Sequence, residues 1–235
     1  MSALREVGII TDFHSHILPG LDHGSSSRET SLWQIKAAKK AGVSRIVATS
    51  HFYADSIDVP SFLSLRSQCF AELSEALMPD DPEILLGAEV LLFENLDRMP
   101  LVEKLCIEGT NVFLAELPMN SIDDSIAGTV ERLIDKGLDV ILAHADRYET
   151  HIINACIDVG AKIQLNAEGL IEHRNRKRCL RWADDGHVYA IGSDIHGKGK
   201  NYELFKKAVK ILGDRRHDIF ARTDSLLRPE NNAVS

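Results

Sequence analysis

Several organising devices are missing from this chain. Its four cysteines (Cys69, Cys106, Cys156 and Cys179) are widely scattered and form no CxxC pair, so a cysteine-based zinc site is not indicated. They read as reduced thiols on buried or semi-buried faces, which favours a cytoplasmic protein. No apolar stretch approaches the roughly 20 residues that a membrane span needs. The N-terminus has no basic region leading into a long apolar segment, so no secretory leader is expected. Positive charge is also short: 27 Lys and Arg stand against 35 Asp and Glu, a net charge of −8. That balance argues against a nucleic-acid scaffold, which needs a clear basic footprint.

The chain is rich in hydrophobic runs that end in ligand-type residues. With 235 residues, 44% of them hydrophobic, it can bury a real core as one large domain or two small ones. Strands are predicted over Val7–Phe13, Arg45–Thr49, Ile84–Glu89, Val112–Glu116, Val140–Ala143, Lys162–Leu165 and Val188–Gly192. Helices are predicted over Glu29–Ala41, Ser61–Met78, Asp123–Lys136, Thr150–Val159, Asn175–Asp185 and Tyr202–Leu212. Gly42 and Gly137 stand where helices stop, and Pro60 and Pro79 frame the second helix. Short apolar strands alternating with amphipathic helices imply a parallel sheet, and seven such repeats suggest a barrel. No linker or internal repeat is evident. The tail is expected to be disordered, most clearly over its last stretch, RPENNAVS.

Six of the ten histidines sit at or just past the end of a hydrophobic run: His14, His16, His23, His51, His144 and His196. Glu89, Glu116 and Asp194 occupy the same kind of place. In a parallel barrel the C-terminal strand ends converge on one face. Imidazole and carboxylate together suit divalent transition metals, and nine such groups are too many for one ion. His14 and His16 lie two apart, so an extended strand end points both to one side. Asp194 and His196 repeat that geometry on the last strand. Gly192-Ser193 and Gly87-Ala88 are small residues that let ligands crowd in. Asp12 precedes the first pair and is placed to fix a ring tautomer from behind. A carboxylate on the apolar run ending at Glu116 would be costly without a cation or an arginine partner. Arg147, close after His144, suits a bidentate contact to phosphate. His151, His173, His187 and His217 lack this context and read as surface or packing residues. The basic stretch from His173 to Arg181 reads as a solvated helix face.

The order of these segments resembles a known superfamily. Asp12-Phe-His14-Ser-His16 followed by Leu18-Pro-Gly-Leu-Asp22-His23-Gly24 resembles the DxHSHxLPGxDDG opening of the polymerase-and-histidinol-phosphatase (PHP) superfamily. Thr49-Ser-His51-Phe-Tyr53, Gly87-Ala-Glu89, His144-Ala-Asp-Arg147-Tyr148, Gln164-Leu-Asn166 and Ser193-Asp194-Ile-His196 resemble its TPHY, GAE, HPERY, QLN and SDAH segments. The branch most similar is that of the bacterial tyrosine-protein phosphatases of capsular and exopolysaccharide biosynthesis. The resemblance implies a distorted (β/α)7 TIM-like barrel of α/β class. It places a metal-dependent phosphatase domain over residues 1–222 and a disordered tail over 223–235.

The resemblance further implies three divalent ions per chain, commonly manganese, with iron or zinc as alternatives. His14, His16, Glu89 and Asp194 would hold the first ion. Glu89, Glu116 and His144 would hold the second, and His51, His196 and His23 the third. Asp12 and Asp22 would stand behind these ligands. Arg147 would hold phosphate, with Asp194 or His196 assisting proton transfer, while hydroxide generated between two metals attacks phosphorus. The partner implied is a phosphotyrosine-bearing autokinase of polysaccharide export or another phosphoprotein. The chain departs from the branch at His23, where aspartate is usual, and in lacking the proline and glutamate of HPERY. Lys198 and Lys200 stand where a further phosphate-holding arginine is usual. No cysteine is followed by arginine six positions later, so the CxxxxxR loop of cysteine-dependent phosphatases is absent. Rival enzyme classes are a small-molecule phosphatase of the histidinol-phosphate kind and an amidohydrolase or TatD-like nuclease. A metal-binding regulatory protein is the non-enzymatic alternative.

Overall fold

The structure, a computed structural model, describes residues 8–119 and 125–228. Its strands are β1 (Thr11–His16), β2 (Arg45–Ala48), β3 (His51–Phe52), β4 (Glu83–Leu86), β5 (Glu89–Leu91), β6 (Val112–Glu116), β7 (Asp139–Leu142), β8 (Lys162–Asn166), β9 (Val188–Gly192) and β10 (Ile195–His196). Every strand pairing is parallel. Two sheets result, ordered β10-β1-β2-β4 and β3-β5-β6-β7-β8-β9. They are joined by strands that break and resume: β2 runs into β3, β4 into β5, and β9 into β10. Counting each such pair as one stave gives seven staves in sequence order. The ring comes round where Ser15 and His16 of β1 pair with Ile195 and His196 of β10. The Asp194 amide adds a bond to the His14 carbonyl at 2.8 Å. This is the distorted (β/α)7 arrangement that the sequence implied.

The breaks are written in small residues. A single strand was predicted over Ile84–Glu89. The chain instead changes neighbours at Gly87-Ala88, because β4 pairs with β2 whereas β5 pairs with β3 and β6. A Cβ on Gly87 would lie 3.1 Å from Ile107 Cγ1, so the kink is packed tightly. The predicted first strand also moves. It runs to His16 rather than ending at Phe13, which puts both histidines inside the ladder. β1 carries a register shift between Asp12 and Ser15. An extra residue of this kind resets the alternation of side chains. With the shift spanning Phe13 and His14, Phe13 joins the barrel's interior cluster while His14 and His16 both reach Glu89.

Six α-helices pack outside the staves: α1 (Arg28–Ala41), α2 (Val59–Ser74), α3 (Ser125–Asp135), α4 (Thr150–Asp158), α6 (His173–Asp184) and α7 (Asn201–Leu212). Two more are α5 (Ala167–Ile171), a short turn after β8, and α8 (Arg215–Leu226). Capping fixes several ends. Ser27 accepts from the Thr30 amide at 3.2 Å, and Gly42 closes α1 at φ 92°, a conformation that suits glycine. Asp58 caps α2 through the Ser61 amide at 2.8 Å, with Pro60 in the first turn. The third crossover has no α-helix. Two 3₁₀ turns, Leu96–Arg98 and Val102–Leu105, fill it. Residues 120–124, where the helix predicted from Asp123 would begin, lie outside the described residues.

A tail boundary at 222/223 was expected, but it falls inside α8. Thr223 is buried, and its hydroxyl donates to the Tyr189 carbonyl at 2.5 Å. Asp224 pairs with Arg45 at 3.0 Å. These contacts set α8 against the N-terminal ends of β2 and β9. Leu226 and Leu227 join the barrel's interior cluster of Phe13, Val47, Val112, Leu114, Ile141 and Ala190. The helix was illegible because its sequence, RRHDIFARTDSL, has only a sparse apolar face among charged and polar residues. The ordered part of the domain thus extends at least to residue 228, and residues 229–235 lie outside the described residues. Between strands and helices lies the larger apolar shell, with Ile35, Phe52, Phe62, Phe113, Leu142 and Phe205 fully buried.

Candidate metal centre

All nine residues singled out as ligands meet at the C-terminal ends of the staves. At the centre is Glu89, the first residue of β5, fully buried. Its Oε2 lies 3.1 Å from His14 Nε2, 3.3 Å from His16 Nε2 and 3.0 Å from His51 Nδ1. Its Oε1 lies 2.8 Å from His144 Nε2. Glu116, the last residue of β6, stands 3.7 Å from His144 Nε2 and 3.8 Å from His51 Nδ1. Asp194 Oδ1 is 3.4 Å from His16 Nε2, 3.7 Å from His14 Nε2 and 3.4 Å from His196 Nδ1. His23 is exposed at the rim, its ring 4.7 Å from that of His51 and 4.6 Å from that of His196, centroid to centroid.

The tautomers follow from the hydrogen bonds behind the rings. His14 Nδ1 donates to the Gln164 amide oxygen at 3.1 Å, and His16 Nδ1 donates to Asp22 at 2.8 Å. His196 Nδ1 donates to the Asp194 carbonyl at 3.1 Å. In each neutral ring the remaining nitrogen, Nε2, is then a lone-pair donor. The Nε2 atoms of His14 and His16 face each other at 3.1 Å. Two lone pairs at that distance repel unless a cation or a proton lies between them. Glu89 Oε2, His51 Nδ1 and His196 Nε2 are also buried without a hydrogen-bond partner. Buried polar atoms normally find partners. These groups therefore fit divalent metal, and three ligand groupings come within coordinating reach: His14-His16-Glu89, His51-Glu89-Glu116 and His16-His51-His196.

The electrostatics carry the same message. Burial opposes a charge on His14 and on His16, yet the adjoining carboxylates override it and raise both above the ordinary histidine value. Burial alone would raise the Glu89 and Asp194 carboxyls, but the surrounding histidines, with Arg147 beside Asp194, hold both well below the usual range. Burial and the nearby Glu89 charge push Glu116 up to about 7. Burial lowers His51 to about 4. Without cations, the carboxylates thus favour protons on His14 and His16, and Glu116 itself is pushed toward its protonated form.

Backbone geometry is specialised here as well. His144 (φ 33°) and Asp194 (φ 49°) both sit in the left-handed region, which is uncommon for residues other than glycine. Such outliers cluster at functional sites. Gly192 is required for space: a Cβ there would lie 2.5 Å from His14 Cβ and 2.7 Å from Gln164 Nε2. Gly24 is likewise required for space: a Cβ there would lie 2.2 Å from His16 Cβ.

The supporting residues differ in part from expectation. Asp12 was placed behind a ring, but it touches no imidazole. It accepts from the Ser193 amide at 2.8 Å and hydroxyl at 2.6 Å, tying β1 to the end of β9. The tautomer-fixing residues are Asp22, which also accepts from the His51 amide at 3.0 Å, and Gln164. A relay unassigned from sequence runs from Asp146, which accepts from the Asn166 amide at 2.7 Å, to Asn166, which donates to Asp194 at 3.0 Å. Gln164 and Asn166 alternate on β8, and that i, i+2 spacing was the available signal. Arg147 lies at the edge of the site, its Nη2 2.5 Å from Asp194 Oδ2, with the side chain 44% exposed. It borders a cavity of about 330 Å³ together with His23, Tyr53 and His196. His151, His173, His187 and His217 do not join the site. His173 opens α6, and His217 lies in α8. Lys198 and Lys200 are exposed.

The family model for capsular polysaccharide synthesis, CpsB/CapC, matches residues 10–228, which hold every one of these groups. The chain belongs to this family. It is 23% identical over 215 residues to the tyrosine-protein phosphatase CpsB of Streptococcus agalactiae serotype V, covering 86% of this chain and 88% of that protein. It is 25% identical over 226 residues to CpsB of Streptococcus pneumoniae, covering 87% and 90%. Crystal structures of YwqE from Bacillus subtilis and CpsB from Streptococcus pneumoniae, metal-dependent tyrosine phosphatases, provide a match with a TM-score of 0.77 at 19% identity, covering 94% of this chain and 95% of the matched one. That likeness establishes the shared fold.

Proposed function

We propose that this protein is a metal-dependent phosphatase that hydrolyses phosphotyrosine on a protein of capsule or exopolysaccharide synthesis. One observation carries the reading: imidazole nitrogens with free lone pairs converge on Glu89 at the floor of an open cavity whose edge holds Arg147. The names of the CpsB relatives supply the substrate class. Three ions are proposed, manganese first, with iron or zinc as alternatives. The first would be held by His14, His16, Glu89 and Asp194, the second by Glu89, Glu116 and His144, and the third by His51, His196 and His23. When bound, such ions neutralise phosphate oxygens and lower the pKa of water so that it attacks phosphorus at neutral pH.

The chain's own residues do the rest. Asp22 and Gln164 hold the rings of His16 and His14 in the tautomer that presents Nε2. Arg147 leaves its contact with Asp194 to take a phosphate oxygen, a charge-assisted bond in a half-buried setting. Asp194 or His196 assists proton transfer. Burial lowers His196, which keeps its ring neutral near pH 7. The leaving phenol of tyrosine has a pKa of about 10, so its departure needs less acid assistance than an alkyl alcohol would. The partner proposed is an autokinase of polysaccharide export bearing phosphotyrosine. The four free thiols suit a reducing compartment, which supports reading the protein as cytoplasmic. Among the described residues, no helix is long and apolar enough to cross a membrane.

Hydrolysis of a phosphotyrosine peptide tests the reading. Wild-type protein with added manganese should release phosphate, and chelation should abolish release. Asp194→Asn should lower the rate by more than about a hundredfold, since even residues behind the ligands cost 10- to 100-fold. Arg147→Ala should cost about 10- to 100-fold in kcat/KM, the worth of a hydrogen bond to a charged group. Unchanged hydrolysis in Asp194→Asn would rule the site out.

A further inference from the structure

A second concavity opens beside the metal centre. It is a cleft of about 650 Å³ lined by Tyr53, Leu91, Phe93 and Met99, with Asp55 and Arg98 at its rim. Tyr53 belongs to both concavities. Its ring stacks on His51 at 5.1 Å between centroids and 17° between planes. The far wall continues the strand that carries Glu89. Glu89 and Leu91 are alternate residues of β5 and so face one side, and Phe93, two residues beyond Leu91, lines the same cleft. Glu89 and Leu91 are separated by about 7 Å of strand, at roughly 3.3 Å per residue.

The cleft is preformed. The Leu92 amide bonds the Glu116 carbonyl at 2.8 Å, and the Leu96 amide bonds the Phe93 carbonyl at 3.2 Å, so both flanks of Phe93 are fixed. The two 3₁₀ turns behind it each start from a left-handed residue, Asn95 and Leu101, both at φ 64°. For leucine that conformation is strained and needs the surrounding structure to hold it. Phe93 is nevertheless 40% exposed. Fixed, exposed apolar surface with a polar rim, continuous with a reaction site, marks a binding surface.

We propose that this cleft receives an apolar side chain of the protein substrate lying within about two residues of the phosphotyrosine, the reach of an extended peptide across the same distance. The inference rests on the phosphatase reading and adds a sequence preference to it. A small phosphorylated metabolite would leave the cleft unused, whereas a peptide with a large aliphatic or aromatic neighbour fills both concavities.

Two phosphotyrosine peptides that differ only in leucine or aspartate beside the phosphorylated residue provide the test, with p-nitrophenyl phosphate as the substrate that reaches only the metal centre. Wild-type protein should prefer the leucine peptide by about tenfold in kcat/KM, the value of burying most of such a side chain. Phe93→Asp should bring the ratio close to one while p-nitrophenyl phosphate hydrolysis stays unchanged, and Met99→Asp should do the same from the neighbouring wall. Equal use of both peptides by the wild type would overturn the proposal. So would a Phe93→Asp effect of the same size on p-nitrophenyl phosphate, or a wild-type dimer that Phe93→Asp dissociates, which would assign the cleft to a second copy of the chain. Hydrolysis of p-nitrophenyl phosphate without peptide preference would remove the cleft's role and leave the phosphatase reading standing. No hydrolysis of any aryl phosphate with manganese, iron or zinc would remove both.

Discussion

At the scale of single residues the site is a problem of unpaired lone pairs, and it is solved by what stands behind each ring. Gln164 accepts from His14 Nδ1 and from the His144 amide. Gln164→Leu would leave both donors buried without a partner and free the His14 ring to flip. Metal affinity should fall about 10- to 100-fold, as for other residues that orient ligands, measured by competition with a chelator. Gly192→Ala puts a methyl 2.5 Å from His14 Cβ, an atom that no rotamer change can move aside. Overpacking of this kind costs about 1–3 kcal/mol and should lower the melting temperature and the metal content together. The pH dependence has a definite sign. His14 and His16 hold protons above the ordinary histidine value when no cation is present. A ligating imidazole must be neutral, so cations displace those protons. Affinity should weaken as the pH falls, and binding should release protons detectable as a buffer-dependent heat in calorimetry. Affinity independent of pH between 5.5 and 8 would contradict this ligand set.

At the scale of elements, what could be read in advance and what could not have separate causes. Strand and helix alternation was legible because buried parallel strands are continuous apolar runs. The ends of staves were less so. The ladder breaks at Gly87-Ala88 and the register shift in β1 depend on which neighbour a strand pairs with, and sequence periodicity does not encode that. The convergence of the candidate ligands was legible because they stand at strand ends, which a parallel barrel brings to one face. The role of Asp12 was not, because its contact with Ser193 spans 181 positions of chain. α8 was missed for a different reason. Its polar surface outweighs its apolar contacts, and its end delivers Leu226 and Leu227 to the barrel's opposite mouth. Leu227→Ala, at 6% exposure, should cost about 2–5 kcal/mol by denaturant titration while leaving the ligands in place. A cost under about 0.5 kcal/mol would mean that α8 is not part of the barrel's packing.

At the scale of the whole molecule, an acidic chain gathers carboxylates and imidazoles into one cluster whose donor set fits cations. The thiols stand apart from this chemistry. Burial pushes Cys106 and Cys179 up to about 12 and Cys156 up to about 11. Iodoacetamide should therefore leave hydrolysis intact, and strong inhibition would point to a cysteine nucleophile instead. Whether the converging residues form a multi-metal centre is decided by anomalous diffraction from crystals grown with manganese. About three anomalous peaks are expected, each within coordinating distance of Glu89, Asp194 or the histidines around them. A single peak, or peaks only at surface carboxylates with Glu89 still paired to histidine, would contradict it.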